Sequence, residues 1–438
     1  MKTNVRERSS PRSENPKADL LNAVASCLLF ENTFYEKGSD VAQRIVDLCT
    51  QVEPDYIANL ASYSRTKLNL RHVALWLAVQ HVKHPKSDKS AAVIDAVIQR
   101  ADELAEFLKL YWLDQPDAPL AHQVKKGLAK AFTKFNAYQL AKYNRDGEIK
   151  LRDVLFLCHA KPRDAEQEAL WKKLVDKTLE SPDTWEVELS AGKDKRETWE
   201  RLLREKKLGY LALLRNLRNM KEASVDRKLV IEALLNGAEK SRALPFQFVA
   251  AWRHAPAYAS ALDQAMIMAL RGTKLFGLAE TTNLLVDVSG SMDAALSAKS
   301  QINRIDAASA LAVLMRETCV DVRVFTFSSK LVEVPAVRGL GLVTAIHDSQ
   351  SHGSTELRAS VHNLQERFPR NRLIVITDEQ GTDGRRLGDC ETPSYLVNVA
   401  SYAKGMEIGG RWCRISGFSE RLVDFIFWHE NKGKNIEL

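Results

Sequence analysis

The feature that most constrains the fold is a change of pattern near residue 276. From about Lys17 to Gly272, apolar residues recur at three- and four-residue spacing while Gly and Pro are sparse, which is typical of amphipathic helices. Beyond it, short apolar runs alternate with helical stretches, which predicts a mostly parallel sheet with helices on both faces. The 438 residues also exceed what one hydrophobic core usually holds, so we expect two domains.

The helical region consists of successive amphipathic segments separated by short polar breaks, which indicates stacked helix pairs. No strict sequence period is present, so this solenoid architecture is an inference from the pattern alone. The segments that best fit helices are Asp40–Thr50, Pro54–Leu68, Leu70–Lys83, Ser90–Trp112 and Gln123–Tyr143.

The second region contains apolar runs of strand length, with helical stretches between them. The predicted strands are Asn283–Val288, Val320–Phe327, Arg372–Thr377, Tyr395–Val399 and Trp412–Ile415, and the predicted helices are Ile302–Glu317 and Leu357–Phe368.

Composition excludes several classes of protein. Six cysteines without a C-x-x-C pair form neither a disulfide framework nor a zinc pattern, and reduced thiols fit a cytoplasmic location. Residues 1–16 lack the apolar core of a secretory signal and are expected to be a flexible tail. No apolar run is long enough to predict a membrane span. The net charge of +7 is compatible with a phosphate-rich partner but does not establish one.

A D-x-S-x-S motif at the end of the first predicted strand is the clearest chemical signal. Asp287 lies at the carboxyl end of the strand, where ligands bind in open α/β sheets, and Ser289 and Ser291 follow in the loop. Thr355 and Asp378 add a hydroxyl and a carboxylate after later elements, and such oxygens suit a hard cation. The alternative is a turn that only caps the next helix, which leaves Thr355 and Asp378 unexplained.

These five positions resemble the metal-ion-dependent adhesion site of von Willebrand A domains, over about 160 residues. The resemblance implies a divalent cation, Mg²⁺ in our prediction, with an open coordination position that a partner's carboxylate completes. No histidine or glutamate is tied to the motif by spacing as a general base, and His352 in the Thr355 loop is interpreted as solvated. A binding site is therefore expected rather than a hydrolytic one.

A basic segment in the helical region has two interpretations. Residues 121–163 contain ten Lys or Arg and three acids. Lys126, Lys130 and Lys134 fall on one helical face, opposite an apolar face. Such a cationic ridge can follow a phosphate backbone, although a solvated charged face is the commoner meaning of a charge run.

The sequence around this segment resembles the Ro ribonucleoprotein family, whose proteins carry a TROVE module. The K-Y pair at Lys142 and the H-x-K-P run at His159 carry the resemblance, and 213–220, 244–246 and 415–418 extend it in the family's order. It implies an all-α ring of HEAT-like helical repeats followed by an α/β von Willebrand A domain that closes the ring. The expected boundaries are a tail over 1–16, a TROVE domain over 17–275 and the A domain over 276–438.

The resemblance also implies RNA contacts. By motif position Lys142, Arg145 and His159 carry over as contacts to small structured Y RNAs, while Lys126 and Lys130 match basic positions on the preceding helix. The ring's central hole is expected to accept single-stranded 3′ ends of misfolded noncoding RNAs.

Some charged positions stay undecided at this level. Lys134 and Asp146 depart from the family's pattern, which leaves the affinity and the RNA partner open. Arg215 and Arg218 either line an RNA channel, or Arg215 instead pairs with an acid inside the helical stack.

The resulting expectation is a monomeric, non-enzymatic RNA-binding protein that acts as a scaffold in noncoding-RNA quality control. Its expected partners are a Y-like RNA, misfolded RNA ends and an exoribonuclease such as polynucleotide phosphorylase. A protein-interaction adaptor that uses the A domain and the helical repeats is the alternative. A metal-dependent hydrolase or an accessory subunit of an ATPase-driven chelatase is a third hypothesis, although the chain has no P-loop motif.

Overall fold

The computed structural model describes residues 15–26, 38–144, 146–272, 278–296, 302–399, 405–416 and 422–431. These residues form two compact units, one ending at Pro182 and the other beginning at Asp183. Helices precede a sheet along the chain, so the predicted fold class is confirmed in its order of helical and α/β regions. Closure of the helices into a ring stays a prediction.

The first unit is helical. Several of its helices begin at polar residues whose side chains accept a backbone N–H from the first turn, as Asn136 and Asp164 do, which satisfies donors that the helix leaves unpaired. The helices are α1 (Pro16–Ser26), α2 (Gly38–Cys49), α3 (Pro54–Thr66), α4 (His72–Lys83), α5 (Ser90–Val97), α6 (Asp102–Tyr111), α7 (His122–Phe132), α8 (Ala137–Tyr143), α9 (Leu151–Leu157) and α10 (Ala165–Val175).

The segment predicted as one helix over 90–112 is instead two helices, α5 and α6. A carboxylate oxygen of Glu103 accepts hydrogen bonds from the backbone N–H groups of Gln99 and Arg100, at 2.7 and 3.0 Å. Arg65 Nε donates to the carbonyl of Val97 at 3.0 Å. These side chains satisfy the backbone groups that the interruption frees, and Arg65 comes from a distant part of the sequence. The segment predicted as one helix over 123–143 is also two helices, α7 and α8, because Asn136 begins α8 with a capping box.

The apolar face predicted on α7 forms part of the core. Leu128, Ala131 and Phe132 are fully buried, and the ring of Phe132 meets that of Trp171 edge-on with 5.3 Å between centroids. Gly127 lies where α7 crosses α5, and a Cβ there would come within 2.8 Å of the Ile94 side chain. The close approach of the two helices therefore requires glycine at this position.

In its described residues the second unit has six α-helices before the sheet and a sheet domain after them. The preceding helices are α11 (Trp185–Ser190), α12 (Lys195–Arg204), α13 (Tyr210–Glu222), α14 (Arg227–Ala238), α15 (Pro245–His254) and α16 (Ala259–Gly272). The sheet domain contains β1 (Thr282–Asp287), α17 (Arg304–Thr318), β2 (Val322–Phe327), β3 (Leu331–Glu333), α18 (Gly339–His347), α19 (Leu357–Arg367), β4 (Arg372–Thr377), β5 (Ser394–Asn398), β6 (Trp412–Ser416) and α20 (Leu422–Glu430).

The six strands form one sheet in the order β3-β2-β1-β4-β5-β6. All neighbouring pairs are parallel except β2 and β3, so the predicted sheet is confirmed. The edge strand β3 and helix α18 were not predicted from the sequence. A three-residue edge strand carries too little apolar pattern to be recognised.

Helices α9 to α13 end in the same way, although the sequence has no detectable period. In each, the second residue beyond the helix has left-handed backbone, and the next N–H bonds the carbonyl five residues earlier, at 2.8–3.3 Å. This is the Schellman type of helix end. The left-handed residues are His159, Lys177, Gly192, Lys206 and Ser224. Since only one of them is glycine, the sequence rule for helix ends fails here.

Helices α15 and α16 pack against helices of the sheet domain within the second unit. Arg253 on α15 donates from Nε and Nη2 to Asp306 on α17, at 2.9 and 2.6 Å. The carboxylate of Asp263 on α16 accepts from the backbone N–H of Leu340, at 2.7 Å. The change from helices to strands near residue 276 therefore occurs inside one compact unit.

Among the described helices, none has both the length and the unbroken apolar character that spanning a bilayer requires.

Candidate metal centre and nucleic-acid interface

The D-x-S-x-S motif lies at the switch point of the sheet, where β1 is flanked by β2 on one side and β4 on the other. Asp287 is the last residue of β1, and Asp378 directly follows β4. Because β1 and β4 are adjacent and parallel, their carboxyl ends bring both carboxylates to the same edge. Ligand sites of open α/β sheets lie at this edge.

Asp287 is completely buried and held by two hydrogen bonds. One oxygen accepts from the backbone N–H of Ser289 at 2.9 Å, and the other from the hydroxyl of Thr377 at 2.6 Å. Burial raises the pKa of Asp287 to about 6, and the neighbouring charge of Asp378 acts in the same direction. Thr377 was missed from the sequence, where a threonine that ends an apolar strand is unremarkable.

The hydroxyl ligands of the predicted set lie in two adjacent loops. The Ser289 and Ser291 oxygens are 3.2 Å apart, and the backbone N–H of Gly290 donates to the carbonyl of Gly353 at 3.4 Å. This contact joins the motif to the loop that carries Thr355. Ser291 is partly exposed, whereas the other four predicted ligands are buried, so the pocket opens at Ser291.

Arg304, the first residue of α17, enters the same pocket and was not predicted. Its Nη1 donates to a carboxylate oxygen of Asp378 at 2.8 Å and to the carbonyl of Ser291 at 3.1 Å. The pocket thus contains two buried carboxylates and one fixed positive charge. An arginine at the start of an apolar helix gives no sequence signal of this contact.

The donor set fits a hard divalent cation, because it consists of oxygens from two carboxylates and three hydroxyls. Among the described residues no three His, Cys, Asp or Glu side chains cluster as a metal site. An adhesion-type set has only two such residues, so it does not form such a cluster. The cation itself stays a prediction.

The histidines beside the pocket are engaged in structural contacts. His352 meets the carboxylate of Asp293 at 3.1 Å and the carbonyl of His347 at 3.2 Å, so it is not simply solvated. His347 in turn lies 3.1 Å from Asp306. Both histidines are committed to neighbours, and neither contacts the predicted ligands.

Lys142 is the best-placed of the predicted RNA contacts. Among the described residues it has no acidic partner within ion-pair distance, and its ammonium lies over the rings of Tyr138 and Tyr143, 5.7 and 5.9 Å from their centroids. Tyr138 is 45% exposed. A free cation beside an exposed aromatic ring suits a phosphate and an adjacent unpaired base.

The ridge of Lys126, Lys130 and Lys134 is weaker than the sequence indicates, and Lys134 lies beyond the helix because α7 ends at Phe132. Lys126 is exposed, but Lys130 and Lys134 form ion pairs with the two carboxylate oxygens of Asp95, at 2.9 and 2.7 Å. Lys134 also donates to the carbonyl of Ile98 at 2.9 Å. One acid from α5 therefore neutralises part of the positive charge that the ridge offers.

His159 is exposed just beyond α9 in left-handed backbone, with a φ of 52°. The same conformation follows α10, α12 and α13, so it reflects the helix end rather than a binding role. Phe156, one turn earlier, is 59% exposed, and neither it nor Tyr138 was predicted as a contact. Arg145 lies outside the described residues.

The two undecided arginines of α13 are both on its surface. Arg215 is exposed, which excludes the predicted alternative of an acid partner inside the helical stack. Arg218 forms an ion pair with Glu222 at 2.8 Å on the same helix. Neither arginine is a core residue.

Comparison with known families covers most of the chain. The TROVE domain family matches residues 2–178 and 176–266. The chain belongs to the TROVE family. A family described as VWA domain containing CoxE-like protein matches residues 280–392 of this TROVE protein, a range that includes all five predicted cation ligands. The resemblance to the Ro family inferred from sequence is confirmed.

Individual relatives agree with this assignment. Telomerase protein component 1 of Rattus norvegicus is 22% identical over 328 residues, which cover 54% of the TROVE protein and 12% of the relative. The TROVE protein thus spans a small part of that curated relative. The crystal structure of the Deinococcus radiodurans RO (RSR) protein matches with a TM-score of 0.66 and 18% identity, over 94% of this chain and 99% of that one. Proteins of the TROVE family are known to bind RNA.

Proposed function

We propose that this TROVE protein binds small structured, Y-like noncoding RNA and the ends of misfolded RNAs, as a non-enzymatic scaffold in RNA quality control. The observation that carries the proposal is the cluster on α8, where Lys142, which has no acidic partner among the described residues, lies over exposed Tyr138. A cation neutralises phosphate without reading sequence, while an exposed ring stacks on an unpaired base. Together they suit a folded RNA that carries a single-stranded segment.

The remaining predicted contacts support the same surface. Helix α10 packs against both α8 and α9, so the helix that carries Lys142 and the helix that precedes His159 share one neighbour. His159 can donate to a phosphate or stack on a base, and exposed Lys126 adds charge. We include Lys130 as a weaker contact because of its pair with Asp95, and Arg145 by motif position only.

The test is RNA binding by fluorescence anisotropy, with a hairpin that carries a single-stranded 3′ extension and a blunt hairpin as probes. We expect K142A/H159A to weaken binding to both by about 1–3 kcal/mol, with the fold intact by circular dichroism. Tyr138→Ala should weaken binding to the extended hairpin by about 1–3 kcal/mol and spare the blunt one.

Lys86→Ala is the matched control, since it removes an exposed lysine from the turn between α4 and α5. Affinity should fall as salt rises from about 50 to 200 mM if phosphates are neutralised. An affinity that does not change with salt concentration would contradict the proposed phosphate contacts. An unchanged RNA affinity of K142A/H159A would contradict them as well.

We further propose that the pocket formed by Asp287, Ser289, Ser291, Thr355 and Asp378 binds Mg²⁺. Its opening at Ser291 favours a second role, in which a partner's carboxylate completes the coordination and the sheet domain acts as a protein adaptor. We also propose that the protein has an exoribonuclease partner such as polynucleotide phosphorylase and that it is located in the cytoplasm. Copurifying nucleic acid that ribonuclease removes favours the RNA role over the adaptor role.

A further inference from the structure

The pocket of predicted cation ligands contains a protein cation of its own. The side chains of Arg304 and Asp378 are 7% and 0% exposed, with 2.8 Å between nitrogen and oxygen. A charge so deeply buried is stable only with a close partner. Asp378 is therefore neutralised by the protein itself before any metal ion is considered.

Arg304 is held firmly at this place. It begins α17, where the side chain of Asn303 accepts the N–H of Asp306 at 2.8 Å and fixes the start of the helix. Its guanidinium also donates to the carbonyl of Ser291 at 3.1 Å, which ties the D-x-S-x-S loop to Asp378. The contact therefore spans the space between two predicted ligands.

We propose that Arg304 is a built-in competitor of the divalent cation, which lowers the pocket's affinity for it. The inference rests on the cation pocket of the proposed function. A divalent ion that approaches Asp378 meets a guanidinium already bonded there, and like charges repel strongly where water is excluded. Arg304 must shift from Asp378 when the ion takes that oxygen, and part of the binding energy is used for the shift.

Calorimetric titration of the full chain with MnCl₂ tests the proposal. We expect Arg304→Gln to bind Mn²⁺ roughly tenfold more tightly than the unaltered protein, since one nearby charge shifts ionic equilibria by about one to three logarithmic units. Arg323→Gln is the matched control, because it removes an arginine that pairs with Glu333 on the exposed edge of the same sheet. The control should leave the affinity unchanged.

The outcomes distinguish the proposal that Arg304 competes with the cation from the proposal that the pocket binds a cation. If the unaltered protein binds Mn²⁺ and Arg304→Gln binds it equally or more weakly, Arg304 is not a competitor while the pocket stands. If neither protein takes up Mn²⁺, the proposed cation pocket is wrong, and the proposal that Arg304 competes with the cation is wrong as well. Hairpin affinity should be the same for the unaltered protein and Arg304→Gln, because none of the proposed RNA contacts is a residue of the pocket.

A second variant and a structural measurement keep the test decisive if Arg304→Gln folds poorly. Arg304→Lys retains the positive charge, so its Mn²⁺ affinity should stay within about threefold of the unaltered protein. In crystals soaked with Mn²⁺, the distance of 2.8 Å between Arg304 and Asp378 should lengthen beyond about 3.5 Å. An unchanged distance with Mn²⁺ bound to Asp378 would overturn the proposal.

Discussion

The cation pocket and the ridge of Lys126, Lys130 and Lys134 are both charged sites predicted from the sequence, but they differ in how their charges are held. In the pocket, buried Asp287 and Asp378 each have close partners at fixed distances. On the ridge, Lys126 is exposed while Lys130 and Lys134 share one acid. Burial forces each charge to find a partner, whereas an exposed charge is stabilised by water. Sequence spacing therefore indicates where a buried charge lies. It does not indicate whether an exposed charge is free to bind a partner.

The largest effect should come from removing a buried ligand. We expect Asp287→Ala to abolish cation binding, a loss of more than ~100-fold, since even outer-shell changes cost 10–100-fold in metal affinity. Asp293→Ala, which removes a carboxylate from the same loop outside the predicted set, should retain binding. Calorimetric titration with MnCl₂ measures both, and a crystal of Asp287→Ala with a cation still in the loop would refute the ligand set.

A smaller effect is expected from removing a buried carboxylate that pairs with a partly exposed arginine. Asp306 is buried while its partner Arg253 is one-third exposed. We expect Asp306→Asn to lower the free energy of unfolding at pH 7 by about 1–3 kcal/mol, because the lost bonds join a charged pair. Glu333→Gln breaks an exposed pair and should cost at most about 1 kcal/mol. Urea unfolding measures both, and equal losses would remove the distinction between buried and exposed charges.

The Asp306 effect should also depend on pH. Burial acts to raise the pKa of Asp306, but hydrogen bonds from His347 and Arg253 outweigh it and hold the pKa below its ordinary value. The contribution of this carboxylate is therefore complete above the unfolded pKa of about 4 and is lost as pH falls through the lower folded value. The difference between the unaltered protein and Asp306→Asn should shrink below about pH 4. A difference that grows in acid would contradict the assignment.

The smallest effect should come from freeing the ridge. Asp95→Asn removes the acid that pairs with Lys130 and Lys134, so we expect RNA affinity to rise by about two- to fivefold and its salt dependence to steepen. Asp88→Asn removes an exposed acid of the same unit that lies 3.9 Å from Lys89 and serves as control. Anisotropy titrations at two salt concentrations measure the change. A gain equal to the control's would mean that the ridge does not face RNA.

Some elements of the fold were predicted from the sequence and others were not. The strands β1, β2 and β4 were recognised because their apolar runs are buried on both faces, a pattern that needs no partner to be visible. The break between α5 and α6 was not, because Arg65 contacts it from outside the segment and Glu103, within the segment, turns back to bond the freed backbone groups. Exposed Tyr138 and Phe156 were missed because an aromatic residue in an amphipathic helix usually faces the core.

The sequence by itself determined the order of the helical and α/β regions and the membership of the TROVE family, and it predicts five oxygen ligands for a cation. These depend on local periodicity and on short motifs, in which neighbours along the chain carry the information. Only the tertiary structure decided that Thr377 holds Asp287, that Arg304 pairs with Asp378 and that Asp95 neutralises two lysines of the ridge. The reason is that charge pairing and burial depend on which distant residues meet, and sequence spacing does not encode those meetings.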